Sequence, residues 1–300
     1  MSLSSQTKLL LAKNLNAMMM EAVFCAFDSY AAFGVREEEE RSIQDNWRGV
    51  ILNTVNGMII ESIQDGGVDW IQKGLGRESL RVAHREWAAE MKAKGWRWGR
   101  KLNKVEKVHP ELADEYDDLP GIYHARDRIV PETFTELWPV YRQVMKAAFG
   151  STNTDELLDA LRDFIACAVN QSIWAYMSVG WGLDHPRFSD LSASERGRLR
   201  RDITVLMSIA LVKDPSGWSP EALFEEWRDT QKAEGWVLGE KLDAVNKTHP
   251  WLVEKYGDLP ERVRAEDKAV SSMFAALWPS VKAIVALVAD TKKVDPKMIN

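Results

Sequence analysis

Residues 85–144 and 225–284 are one module written twice, in register, at a constant offset of 140 and without a gap. Trp87, Lys92, Gly95, Trp96, Gly99, Lys101, Lys107, His109, Pro110, Tyr116, Leu119, Pro120, Asp127 and Trp138 recur as Trp227, Lys232, Gly235, Trp236, Gly239, Lys241, Lys247, His249, Pro250, Tyr256, Leu259, Pro260, Asp267 and Trp278. Between Trp87 and Pro139, 24 of 53 positions match the residue 140 places on. A repeat constrains the fold more than any local pattern, because both units must be able to take the same shape. It predicts a two-lobed, pseudo-symmetric protein and marks the residues that both copies kept while their neighbours drifted.

The duplication extends upstream with insertions. Residues 21–34 (EAVFCAFDSYAAFG) match 163–180 (DFIACAVNQSIWAYMSVG), and 41–63 match 196–212. The halves are therefore read as 1–148, with a core repeat at 80–146, and 151–290, with a core repeat at 219–286. Residues 291–300 read as a frayed tail. The link at 66–77 is longer than its counterpart at 213–218.

Apolar spacing is helical through most of each half. Ile51, Val55, Met58 and Ile59 share one stripe, as do Ile203, Leu206, Met207 and Ala210. A third helix carries Leu80, His84, Trp87 and Met91 in the first half and Leu223, Phe224 and Trp227 in the second. In the second half Ser219-Pro220 supplies an N-cap and a proline at the first helical position. Gly95 and Gly235 sit where a left-handed residue ends a helix. The stretch 96–108 is too short and broken for a helix and reads as a small strand or extended loop, punctuated by His-Pro. A last helix follows Leu-Pro, with Pro131 expected to kink the first copy. The expected class is mainly α, about four helices and one short extended segment per half.

The charge balance excludes one class of partner. The first 150 residues carry 20 Lys and Arg against 22 Asp and Glu, the last 150 carry 19 against 23, and the whole is −6. Wrapping nucleic acid needs a broad basic face that such a chain lacks, so no sequence-specific nucleic-acid partner is expected. No apolar run suggests a membrane span, and the N-terminus reads as an amphipathic helix rather than a signal peptide. Cys25 and Cys167 fall at similar places in related helices and read as buried apolar residues. A cytoplasmic protein is expected.

The chemistry-bearing residues cluster in the module. Gly-Trp occurs as GWRWG (95–99) and GWVLG (235–239). Paired indoles, Trp96 and Trp236 with Trp98 beside the first, form a clamp for a flat heterocycle, at roughly 1–3 kcal/mol per stacked base. The competing reading makes them core plugs, since large aromatics are mostly buried. Residues 92–107 carry seven basic side chains (Lys92, Lys94, Arg97, Arg100, Lys101, Lys104, Lys107) against Glu106, while residues 232–247 are neutral. A solvated face is the ordinary source of such a run. Beside an indole pair, Arg97, Arg100, Lys101 and Lys107 suit phosphates. Lys247 is the second-copy partner of Lys107. His109 and His249, each in Lys-x-His-Pro, read better as turn residues than as bases. Tyr116 and Tyr256 line the cleft or pack beneath it. Asp127 and Asp267 cap or pair with the shared lysines. No metal-ligand spacing, nucleophile motif or phosphate loop is present, so no metal, cofactor or catalytic residue is assigned. A hydrolase using His109 or His249 with Asp127 or Asp267 is the least favoured alternative.

Trp-x7-Gly-Trp with Gly99, Lys107, His109-Pro110, Leu112, Tyr116, Leu119-Pro120 and Asp127, found twice, resembles the ryanodine-receptor repeat, or RyR domain. The likeness spans about 55 residues per copy, and the upstream helices resemble the stand-alone RyR proteins of bacteria and phages. Trp98 and Leu238 stand where the family usually has Tyr. The family's His-x-x-Trp keeps its histidine at His84 but has Phe224 in the second copy. The resemblance implies a binding module without catalysis, holding an adenine nucleotide between paired repeats and stacking it on Trp96 and Trp236. It further implies a protein that sequesters a nucleotide messenger, such as a cyclic ADP-ribose-like molecule or a cyclic dinucleotide, as a phage sponge would. The alternative is a protein-interaction or structural module without a small ligand.

Overall fold

The computed structural model describes residues 3–34, 47–64, 77–99, 103–150, 154–243 and 245–293. Eight α-helices and two pairs of two-residue strands make up the described chain. The first half contains α1 (Ser5–Ser29), α2 (Trp47–Gln64), α3 (Arg77–Ala93), β1 (Arg97–Trp98), β2 (Val108–His109) and α4 (Gly121–Gly150). The second contains α5 (Thr154–Trp174), α6 (Ala193–Val212), α7 (Pro220–Ala233), β3 (Val237–Leu238), β4 (Thr248–His249) and α8 (Glu261–Lys293). A π-helical turn follows α1 (Tyr30–Gly34) and α5 (Ala175–Gly180), and a 3-10 turn precedes α4 (Tyr116–Asp118) and α8 (Tyr256–Asp258). The mainly α class is as the spacing predicts, with eight α-helices among the described residues. The last helix continues to Lys293, three residues into the expected tail, while the link at 66–76, part of the helix expected from residue 41, and the tail from 294 lie outside the described residues.

Helix ends follow their local chemistry. Ser4 accepts from the Thr7 N–H at 3.1 Å and opens α1. Ser192 and Glu195 close a reciprocal capping box on α6. Ser219 accepts from Ala222 N at 3.1 Å ahead of Pro220, as its sequence predicts. α4 continues through Pro131 and Pro139, and α8 through Pro279, although each proline removes one backbone donor.

One apolar core serves both halves. α1 packs on α8, and α4 packs on α5; α1 also meets α4 and α5, and α5 meets α8. Leu11, Met18, Phe27, Ile51, Phe134, Tyr141, Phe164, Cys167, Phe274 and Trp278 belong to a single buried cluster. Both cysteines are buried and free. Burial drives the Cys25 thiol up to about 12, so it is uncharged and behaves as a small hydrophobe. Two segments, Ser5–Ala32 and Glu261–Ala289, are long and apolar enough to cross a membrane, contrary to the expectation that none would be. They contain α1 and most of α8, two core helices packed on one another here.

α3 lies outside this core, and α7 reaches it through Leu223. α3 packs chiefly on the 116–118 turn, and α7 on α8, α6 and the 256–258 turn. Each delivers the chain to a Gly-Trp turn.

Candidate functional site

The turn after α3 is a Schellman motif. Trp96 N donates to Met91 O at 3.1 Å and Gly95 N to Lys92 O at 2.9 Å, which ties off the last helical carbonyls. Gly95 has φ +84°, a conformation that costs any other residue. The second copy repeats it: Trp236 N to Gln231 O, Gly235 N to Lys232 O, and Gly235 at +86°. The indole thus leaves the helix end in a fixed direction.

The chain then runs as β1, loops, and returns in β2 alongside it in parallel, with Arg97 beside Val108 and Trp98 beside His109. β3 and β4 repeat the register, Val237 beside Thr248 and Leu238 beside His249. Close approach explains the second glycine of the motif. A Cβ on Gly99 would sit 2.4 Å from Val108 Cγ1, and one on Gly239 would sit 2.6 Å from Thr248 Cβ.

The returning strand brings the histidine to the indoles. His109 lies edge-on to Trp87 (centroids 5.2 Å apart) and to Trp96 (5.9 Å). His249 lies likewise against Trp227 (5.0 Å) and Trp236 (6.4 Å). His109 Nδ1 accepts from the Glu111 N–H at 3.2 Å, and His249 Nδ1 from the Trp251 N–H at 3.1 Å. A ring whose Nδ1 accepts from a backbone amide carries its proton on Nε2. Burial pushes both histidines down, His249 to about 4 with nearby Arg198 adding to the effect. Both rings are therefore neutral at pH 7. The turn role expected for these histidines is thus in place, in the hydrogen bonds that span His-Pro.

Trp96 and Trp236 are half-buried, each with its ring contact inside its own repeat. Among the described residues no ring contact joins them. Trp98 is exposed at the strand edge. Arg97 is exposed and pairs with Glu106 at 3.4 Å. Arg100 and Lys101 lie outside the described residues. Lys107 is not extended toward solvent: it adopts φ 53°, and its ammonium donates to the Lys94 carbonyl at 2.8 Å. Lys247 does the same, at φ 51° and 2.7 Å from Glu234 O. Lys92 pairs with Asp114, and Lys94 with Glu90. Much of the basic run is therefore already engaged.

Beneath the turn the copies differ. Tyr116 is buried, edge-on to His84 and His124, and donates to Asp127 at 3.0 Å. Its hydroxyl is driven well above its ordinary range by burial and the Asp127 charge. His84 donates to the Ala113 carbonyl at 3.2 Å. Arg126 lies over the Trp47 ring at 4.5 Å, bonds Asp127 at 2.7 Å and reaches Glu111 at 3.4 Å. Burial opposes its charge, but the two carboxylates outweigh burial and raise its pKa. In the second repeat Glu266 replaces Arg126 and Trp251 replaces Glu111. Tyr256 donates instead to the Arg264 carbonyl at 3.1 Å and packs on Phe224. Asp267 keeps a buried oxygen without a hydrogen-bond partner, and burial next to Glu266 lifts it to about 7. Among the described residues Asp127 and Asp267 do not take up Lys92, Lys107, Lys232 or Lys247: Lys92 and Lys232 bond Asp114 and Glu254, and Lys107 and Lys247 bond backbone carbonyls.

Residues missing from the expected site are Trp87, Trp227, Arg126 and Glu111. The tryptophans were legible as helix-stripe residues eight positions before Gly95 and Gly235; Arg126 had no motif to announce it. Among the described residues no cluster of three or more His, Cys, Asp or Glu could hold a metal ion. Comparison of the chain with family models, with curated proteins and with solved structures found no match.

Proposed function

We propose that the chain is a non-enzymatic binder of a nucleotide-type small molecule, built from two RyR-like halves with Trp96 and Trp236 as the stacking surfaces. The base lies between the two repeats. Its phosphates lie on the first-repeat side, beside Arg97, Arg100 and Lys101. The ligand class is an adenine nucleotide or a nucleotide messenger, cyclic ADP-ribose-like or a cyclic dinucleotide, and the role is capture of that signal, as in a phage sponge.

The observation that carries this reading is the duplicated arrangement of two indoles around one neutral histidine. In each copy one edge of the Gly-Trp indole region is fixed by the imidazole, while the residue stays half open. A rigid, partly exposed aromatic surface suits stacking. Support for a shared site comes from the packing. α1 on α8 and α4 on α5 are the contacts that a two-fold relation between the halves would exchange. The engaged state of Lys107 and Lys247 leaves Arg97, Arg100 and Lys101 of the four cations first considered on the first-repeat side.

The test is a thermal-shift and calorimetric screen against ATP, ADP-ribose, cyclic ADP-ribose isomers, NAD and cyclic dinucleotides. A ligand at 100 times its Kd stabilises the fold by about 2.7 kcal/mol. Trp96→Ala and Trp236→Ala should each abolish the shift without loss of helicity, and the ligand should be recovered unchanged. A panel without any shift overturns the reading.

A further inference from the structure

His109 is oriented by the backbone two residues on. Its Nδ1 accepts from the Glu111 amide at 3.2 Å, with the ring edge-on to Trp87 and Trp96. The ring is therefore placed only as well as residue 111 is placed. Glu111 lies beyond the end of β2, past Pro110, so the strand pairing does not fix it.

A guanidinium does. Arg126 Nη1 on α4 lies 3.4 Å from both carboxylate oxygens of Glu111. Its Nε donates to Asp127 at 2.7 Å, and Asp127 also accepts from the Tyr116 hydroxyl at 3.0 Å. Its Cζ lies over the Trp47 ring at 4.5 Å, and Trp47 is a buried member of the common core, stacked on Phe27. Arg126 is thus fixed at three points, and its flat, forked head suits all three because its donors and its faces act in set directions. The side chains of Arg126, Glu111 and Asp127 are 17, 23 and 16% exposed, so water screens these pairs less than it would on an open surface.

The second repeat makes the same histidine bond on a different support. Trp251 stands at the place of Glu111 and Glu266 at that of Arg126. The Trp251 amide donates to His249 Nδ1 at 3.1 Å, while its indole packs on Phe224, Leu259 and Val263, a small apolar cluster separate from the common core.

We propose that Arg126 is the positioning residue of the first repeat: through Glu111 it braces His109, and the indole surface beside it, against the common core. The purpose of the brace rests on the nucleotide-binding reading, whereas the brace itself needs no ligand. It makes the two repeats unequal halves of one site, the first tied to the core by charge and the second seated on its own apolar cluster.

An NMR titration of the ligand-free full chain, following the imidazole nitrogens of His109 and His249, tests this in Arg126→Lys and Glu111→Ala. Arg126→Lys keeps the charge and loses the planar fork. Glu111→Ala sets charge against placement. Burial holds His109 down, the Glu111 carboxylate pulls it up and Arg126 presses it down. By charge alone, losing Glu111 makes the ring harder to protonate; by lost placement, the ring opens to water and becomes easier to protonate. The expected result in both variants is a His109 that titrates closer to the ordinary 6.5 and exchanges between its two neutral tautomers, with His249 unchanged. Trp251→Ala should do the same to His249 and leave His109 alone. Should Arg126→Lys lose its helicity, Glu111→Ala decides. A His109 that keeps its single Nε2–H tautomer in Glu111→Ala, or that becomes harder to protonate, overturns the proposal. So does an equal response of both histidines, which is general loosening. Because no ligand enters these measurements, their failure is separate from a failure of nucleotide binding.

Discussion

Lys107 turns back on its own helix, donating from its ammonium to the Lys94 carbonyl at 2.8 Å. A cation on the last carbonyls of α3 complements the helix dipole and satisfies an orphan acceptor. This is a structural task, and it separates two outcomes. Lys107→Met should lower stability by about 1 kcal/mol, read by urea unfolding. It should change nucleotide affinity much less than Trp96→Ala does. A large loss of affinity with unchanged stability would instead return Lys107 to direct phosphate contact.

Gly99 answers to sterics rather than to φ. Its missing Cβ would meet Val108 Cγ1 at 2.4 Å, so Gly99→Ala pushes β1 away from β2. The expected cost is roughly 1–3 kcal/mol. Val108→Ala alone should cost less, since Val108 is only partly buried. The double variant should recover much of the loss, because the colliding methyl is gone. A thermodynamic cycle of the four proteins reads the coupling directly.

Local chemistry was legible in the sequence where a residue has a single use. A glycine eight residues after a half-buried helical tryptophan, repeated 140 places on, reads as a helix end, and Gly95 and Gly235 have the positive φ that this requires. Ser219-Pro220 and the His-Pro turns were readable for the same reason. Lys107 was not, because a lysine in a basic run looks identical whether it faces a ligand or its own backbone. The shared core was hidden as well. The repeat suggests two lobes, whereas α1 packs on α8 and α4 on α5, and no pattern within one half encodes contacts made across halves. The divergence beneath the turns was written in the exchange of Arg126 for Glu266, but its meaning depends on Asp127 and Asp267 lying next to those positions on a buried face.

That divergence predicts opposite responses to removing the same charge. Asp127 bonds Tyr116 and Arg126, so Asp127→Asn leaves a buried guanidinium poorly paired and should cost about 3–5 kcal/mol. Asp267 is raised to about 7 in the folded chain, above its value near 4 when unfolded. The folded state then holds the proton more tightly, so stability falls as pH rises from 4 to 7 and levels off above that. Asp267→Asn should remove this slope and stabilise the protein at pH 8 by on the order of 1–3 kcal/mol. Unfolding curves at pH 5 and pH 8 for the parent and both variants distinguish the two sites.

His249 carries the opposite sign. Its folded pKa, near 4, lies below the ordinary 6.5, because burial and Arg198 both oppose the imidazolium. Its contribution to stability is complete above about pH 6.5 and is lost as pH falls toward 4. Protonating Nδ1 would also destroy the bond it accepts from the Trp251 amide at 3.1 Å, so the charged ring must leave its place between Trp227 and Trp236. A carbon-detected or heteronuclear NMR titration should show His249 as the Nε2–H tautomer at pH 7, with no protonation until the pH is well below 6. If the ring titrates near 6.5, the site is open to water and the fixed neutral donor is lost as a recognition element. If it titrates near 4, acid should release a bound nucleotide over the same range in which the turn loosens, a coupling that His249→Gln would remove by eliminating the titrating group.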